Sequence, residues 1–164
     1  MKLYLIRHGI AEELDRAGGD DAARALTREG ASEVRQIAGI LRERKVSPGL
    51  IMTSPATRAR QTAEIVAEVL KYPRSPQETR ELMYDRSIRD AARLIRAHRQ
   101  QDDEVIAVGH EPHLSRLASL LLVGDDRLPL RLKKAGIIRL TIDWSGSETE
   151  ARLDLVLTPK WLLP

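Results

Sequence analysis

Apolar positions fall along the chain in two kinds of pattern. Short, nearly unbroken runs occur at Leu3-Tyr4-Leu5-Ile6, Leu50-Ile51-Met52-Thr53 and Val105-Ile106-Ala107-Val108. Runs of this length fit strands buried on both faces of a sheet. Between and after them, apolar residues recur at helical spacing: Val34, Ile37, Ala38 and Leu41, then Ala59, Ala63, Val66, Ala67 and Leu70, then Ile88, Ala91, Ala92 and Ile95 in a basic stretch over 87–100. A further helix starts at Pro112 and continues through Leu122. Residues 136–143 and 151–157 alternate, and Ser145-Gly146-Ser147 between them predicts a tight turn.

Punctuation sets the boundaries. Thr27 offers a cap to the first helix, and Ser54-Pro55 opens the second, with Ser as cap and Pro at the first helical position. Residues 10–25 are polar around Gly18-Gly19-Asp20-Asp21 and read as a surface loop. Residues 73–86 read as irregular, with one short strand before Glu81. The order β-α-β-α-(β)-α-β-α-β-β predicts an α/β fold. It is a single-domain, three-layer α/β/α sandwich over residues 1–164, with a mostly parallel central sheet and an antiparallel hairpin at one edge.

Composition narrows the chemistry. The chain has 164 residues and no Cys, which excludes disulfides, thiolate catalysis and Cys-based metal centres. Apolar residues make up 42% and charged residues 31%, an ordinary globular balance. The net charge of +3 is mild and fits an anionic substrate, while 3% aromatics without any Phe leave few platforms for nucleic-acid bases. Neither a signal peptide nor a membrane span is evident, so a cytoplasmic, soluble monomer without nucleic-acid or membrane partners is expected.

Ligands of open α/β sheets bind beyond the carboxyl ends of the strands. Three strands here end in Arg7-His8-Gly9, in Thr53-Ser54-Pro55 followed by Arg58, and in Gly109-His110-Glu111-Pro112. Taken singly, each has a plain structural reading: a solvated strand end, a helix cap, a turn. His110 and His113 also read as a metal half-site, but without further ligands no metal or other cofactor is expected. Together, the two imidazoles and two guanidiniums at one rim match the oxygens of a phosphoryl group.

Arg7-His8-Gly9, Ser54-Pro55-Ala56-Thr57-Arg58-Ala59-Arg60-Gln61-Thr62-Ala63 and Gly109-His110, in that order, resemble the three motifs of the histidine phosphatase (phosphoglycerate mutase-like) superfamily. Within it the chain is similar to the SixA-type phosphohistidine phosphatases. That similarity lies in its short length, Leu26-Thr27-Arg28-Glu29-Gly30, Gly109-His110-Glu111-Pro112 and the closing Trp161-Leu162-Leu163-Pro164. The resemblance implies the same fold, with His8 as the nucleophile and Arg7, Gly9, Arg58 and His110 around the phosphoryl group. Cations nearby are expected to keep His8 neutral, and Gly9 to allow close backbone approach.

Departures from the superfamily bear on the substrate. Met83-Tyr84 stands where many relatives carry an acidic proton donor; Glu81 and Asp85 are nearby without aligning, and no segment is long enough for a lid. An alkoxide leaving group needs an acid, whereas a ring-protonated phosphohistidine leaves as neutral imidazole. The reading is therefore a phosphohistidine phosphatase that acts on histidine-phosphorylated proteins through a covalent phosphohistidine intermediate and releases phosphate. A small-molecule phosphomonoesterase using Glu81 or Asp85, or a non-catalytic phosphate-binding module, stand as alternatives.

Overall fold

The computed structural model of the chain describes residues 1–145 and 149–161. Ten main elements follow one another: β1 (Lys2–Arg7), α1 (Arg28–Glu43), β2 (Leu50–Thr53), α2 (Thr57–Leu70), β3 (Gln77–Glu78), α3 (Ile88–Ala97), β4 (Glu104–Gly109), α4 (His113–Val123), β5 (Ile137–Asp143) and β6 (Glu150–Leu157). The strands form one sheet in the order β3-β2-β4-β1-β5-β6. The first four are parallel, β5 runs antiparallel to β1, and β6 antiparallel to β5. The predicted sandwich and its antiparallel edge are thus present. Of the predicted β5–β6 turn, residues 146 and 147 lie outside the described residues, as does the 162–164 part of the closing segment.

The unbroken apolar runs have the expected cause. Leu3 and Leu5 of β1 face a core shared with Ala91 and Ile95 of α3 and Leu114, Leu117 and Leu121 of α4. Tyr4 and Ile6 face the opposite core with Val34, Ile37 and Leu41 of α1 and Ala59, Ala63 and Val66 of α2. A strand covered on both faces cannot alternate apolar with polar. The edge strand β6 is covered far less, and Leu153, Leu155 and Val156 are exposed. No helix among the described residues is long and apolar enough to cross a membrane.

Two expectations about local structure change. Ser54 does not cap α2: the helix starts at Thr57, Ala56 occupies the capping position, and no side chain caps it. The stretch 10–25 is also more than a solvated loop. It is pinned by an Ala11–Leu26 bridge and a Glu12 N–H to Ala25 carbonyl bond, and it folds into two short 3-10 turns, Asp15–Ala17 and Asp21–Ala23. Asp20 caps the second turn by accepting from the Ala22 N–H at 2.9 Å.

The segment after β1 is pressed onto the start of α1. Thr27 caps that helix, accepting from the Gly30 N–H at 2.9 Å. A Cβ on Gly30 would lie 2.2 Å from the Ile10 carbonyl oxygen, and one on Gly9 would lie 2.9 Å from Val34 Cγ2. Both glycines are required by close approach of backbone to backbone or core. Gly30→Ala is therefore expected to cost about 1–3 kcal/mol in urea unfolding, as overpacking does. It should also displace the His8-Gly9 turn, to which Ile10 is joined in the chain. Unchanged stability would contradict this packing.

Candidate active site

The ends of β1, β2 and β4 lie side by side: Arg7 is opposite Gly109, and Thr53 opposite Val108. The pairing continues one residue past each strand. The His8 N–H donates to the Gly109 carbonyl and the Ser54 N–H to the Val108 carbonyl, each at 3.0 Å. His8, Ser54 and His110 are therefore set on rigid backbone. The first turn of α2 adds Arg58. Its carbonyl accepts from Thr62 Oγ1 at 2.7 Å, and Thr62 Oγ1 in turn accepts from the Gly9 N–H at 3.2 Å.

The hydrogen bonds around His8 choose its tautomer. Nδ1 is 2.7 Å from the Gly9 carbonyl oxygen, an acceptor, so Nδ1 carries the proton. Nε2 then has the lone pair and accepts from Arg58 Nε at 3.2 Å. Burial is the main reason His8 resists protonation; its pKa falls to about 3, against the Gly9 carbonyl and with help from His110, Arg58 and Arg7. The expected neutral imidazole is thus present, but burial outweighs the neighbouring cations as its cause. His110 is lowered to about 4, again first by burial and then by Arg58.

His110 Nε2 is 2.8 Å from Ser54 Oγ, and the Ser54 hydroxyl reaches Met83 Sδ at 3.0 Å. Ser54 Oγ also accepts from the Ala56 N–H at 3.3 Å. A serine hydroxyl has one proton and can rotate. Donating to Met83, it receives His110 Nε2–H and leaves Nδ1 as acceptor. Donating to His110, it moves the ring proton to Nδ1, which lies 3.5 Å from Arg58 Nη2. Ser54 therefore sets whether His110 Nδ1 accepts from Arg58 Nη2 or carries the ring proton.

A cavity of about 280 Å³ opens over these groups, lined by Arg7, His8, Asp21, Arg24, Arg58, Tyr84, His110, Glu111 and Lys134. Four cations face two carboxylates, a basin suited to an anion. The predicted Arg7, His8, Arg58 and His110 are brought together there. Gly9 does not line it; it supplies the carbonyl under His8 instead. Glu81 and Asp85 are also outside. Glu81 is held as a carboxylate by the Thr79 hydroxyl, and Asp85 is exposed beside Arg86. A larger groove of about 630 Å³ between α3 and α4 is lined by arginines and apolar residues, with no imidazole or carboxylate among the described residues.

Sequence reasoning missed Asp21, Arg24, Ser54, Tyr84 and Lys134. Asp21 Oδ2 accepts from Arg58 Nη2 at 2.8 Å, and its carbonyl accepts from Nη1. Partial burial pushes the Asp21 carboxyl up, but Arg24 and Arg58 outweigh this and keep it below the usual range. Arg7 donates from Nη1 to the Leu132 carbonyl at 3.0 Å, while its buried Nε has no partner among the described residues. His113 is buried at the head of α4 and does not line the cavity. Among the described residues no cluster of three His, Asp or Glu side chains is placed to hold a metal ion.

A sheet with this order, carrying an imidazole at the end of its first strand among arginines, defines a phosphatase of the histidine phosphatase superfamily. The chain belongs to that superfamily: the pattern of its branch 1 matches residues 3–84. The chain is 31% identical to phosphohistidine phosphatase SixA of Escherichia coli K12 over 91% of its own length and 90% of that protein's. It is 39% identical to an uncharacterized Picosynechococcus protein over the whole of both chains. A structure of the protein histidine phosphatase SixA complexed with tungstate superposes with a TM-score of 0.87 at 29% identity, over 99% of both chains.

The geometry predicts a titration that NMR can read. At pH 6, ¹⁵N shifts of His8 and His110 should be those of neutral imidazole, with His8 protonated on Nδ1. Stability follows. In the unfolded chain both rings take up protons near pH 6.5, whereas in the folded chain they do so only near 3 and 4. Their contribution is complete above about pH 6.5 and is lost progressively as pH falls toward those values. A His8 signal titrating near 6.5 in the folded protein would contradict the assignment. Ser54→Ala should lower kcat/KM about three- to tenfold, the worth of one buried hydrogen bond.

Proposed function

We propose that this phosphatase removes phosphate from histidine-phosphorylated proteins, with His8 as the phosphoryl acceptor. The observation that carries the reading is the orientation of His8. Its Nδ1 proton is spent on the Gly9 carbonyl, and its Nε2 lone pair faces Arg58 in a basic cavity. Binding an anion would need arginines alone; a buried neutral imidazole with a directed lone pair adds a nucleophile.

In the first step His8 Nε2 bonds to phosphorus while the P–N bond to the substrate ring breaks, its electron pair returning to that ring. A substrate imidazole already protonated on its other nitrogen leaves neutral. The phosphorylated His8 ring is then cationic, with the Gly9 carbonyl holding its Nδ1 proton, and so is itself a good leaving group. Water attacks phosphorus next, the P–Nε2 bond breaks, and neutral His8 returns with release of phosphate and a proton. Arg7 and Arg58 hold positive charge at the equatorial oxygens and the neutral His110 ring donates a hydrogen bond there, as phosphoryl transfer requires. Each Arg58 N–H exchanges its bond to His8 or Asp21 for one to the phosphoryl group.

The placement of three nearby carboxylates supports this substrate class. Glu81 and Asp85 do not line it, and Asp21 stays ionised beside two guanidiniums, so none of them is a donor for an alkoxide. Tungstate in the SixA structure is a tetrahedral oxyanion, consistent with a phosphoryl site in this fold. One observation favours the phosphomonoesterase alternative: Glu111 lines the cavity, although its Oε1 also accepts from the Ser115 N–H at 3.1 Å at the head of α4.

His8→Ala is expected to abolish turnover with the fold kept, and the wild type to yield an acid-labile phosphoenzyme. Arg58→Ala should cost about 2–4 kcal/mol of transition-state stabilisation, by analogy with loss of an oxyanion donor. Arg58→Lys should recover only part of it, since a point charge replaces a planar fork. Dialysis against EDTA should leave the rate unchanged. The deciding assay compares a phosphohistidine protein with alkyl phosphates. The former should be preferred by at least about tenfold, up to the roughly 10²–10⁴ that general acid catalysis is worth. Alkyl phosphates cleaved equally well, with loss of that activity in Glu111→Gln, would establish the phosphomonoesterase instead.

A further inference from the structure

The Tyr84 ring stands at the mouth of the same cavity and takes no part in holding the phosphoryl group. It lines the wall together with His8 and Arg58. It meets His110 edge-on, with ring centroids 5.5 Å apart and planes at 89°. It is 45% exposed, whereas His8 is 7% exposed. The ring therefore lies on the outer part of the path from solvent to the nucleophile. The other two tyrosines are placed differently: Tyr4 is in the core, and Tyr72 packs against the α1–α2 face with its hydroxyl on the Gly49 carbonyl.

This exposed ring is held on a fixed turn. Leu82 before it is fully buried. The Met83 N–H donates to the Arg80 carbonyl at 3.0 Å, and the Arg86 N–H to the Met83 carbonyl at 3.2 Å. Met83 Sδ receives the Ser54 hydroxyl, which ties the turn to His110 itself. An aromatic face on a preorganised turn loses little conformational freedom when another ring packs on it.

We propose that Tyr84 is a specificity-determining residue whose ring packs against the leaving imidazole of the substrate. The proposal rests on the phosphohistidine reading of this site. A leaving imidazole is flat and aromatic and departs neutral, so it can stack offset or edge-on against a tyrosine. An alkyl alcohol or ammonia presents no such face. Aromatic pairs are stabilised beyond their buried area by an amount that corresponds to about three- to tenfold in rate. The contact involves the ring and not the hydroxyl.

The test uses two small P–N substrates that differ only in the leaving group. Phosphoimidazole releases an aromatic ring; phosphoramidate releases ammonia. Tyr84→Ala should lower kcat/KM for phosphoimidazole about three- to tenfold and leave phosphoramidate within about twofold. Tyr84→Phe should keep both near wild type. Circular dichroism and thermal unfolding establish that each variant is folded. An equal fall on both substrates would make Tyr84 merely structural and overturn the proposal, as would no change on either. A Phe variant as impaired as Ala would assign the effect to the hydroxyl and also overturn it. Failure of the phosphohistidine reading appears separately, in the wild type: turnover of alkyl phosphates but of neither P–N substrate removes that reading and this proposal with it.

Discussion

The site depends on a buried cation. Arg58 is 4% exposed, and a guanidinium withdrawn from water must find hydrogen-bond acceptors for its donors or the structure opens. Its neighbours are arranged around that demand. Nε is taken by His8, Nη1 by the Asp21 carbonyl, and Nη2 by the Asp21 carboxylate. Thr62 holds the backbone of the same turn and passes the constraint to Gly9. Asp21 reaches Arg58 only because residues 10–25 fold back over the rim, fastened by the Ala11–Leu26 bridge. One charge thus links β1, α2 and the segment between β1 and α1.

The same burial sets the protonation of both imidazoles. Burial withdraws most of the water from His8 and His110, so each loses much of the solvation that a cationic ring would need, and the arginines add to the effect. The arrangement is self-consistent. The cations of the cavity would repel an imidazolium, and the same packing that buries Arg58 removes the water that would stabilise one. A carboxylate at Asp21 offsets part of the positive charge without becoming an acid, because the guanidiniums hold its proton off.

Much of this was legible in the sequence, and what was not has identifiable physical causes. The β1, β2 and β4 runs announce themselves because a strand covered by helices on both faces has no polar positions to spare. Arg7, His8, Arg58 and His110 are readable because they sit at or just after strand ends, where an α/β fold gathers its chemistry. Asp21 is hidden in a Gly-Gly-Asp-Asp stretch whose composition is that of any solvated loop; only its long-range bond to Arg58 gives it a role. Ser54 before a proline looks like a helix cap, and no local signal says that its hydroxyl is spent on His110 and Met83 instead. Tyr84 belongs to an irregular segment whose path is set by the burial of Leu82, a tertiary fact that periodicity does not carry.

The electrostatic balance at the rim also explains how a closed hydrogen-bond network can admit a ligand. Arg58 is satisfied within the chain, but one of its partners is the carboxylate of Asp21, which is only partly buried. A phosphoryl dianion carries more charge than that carboxylate and presents several oxygens at once, so it competes well for the same guanidinium edge. Asp21 can turn toward Arg24, which already donates to its other oxygen at 2.9 Å, and toward solvent. The exchange therefore leaves no buried charge unpaired at either end. In the proposed reaction the same exchange would free the lone pair of His8 from Arg58 Nε, coupling binding of the anion to exposure of the proposed nucleophile.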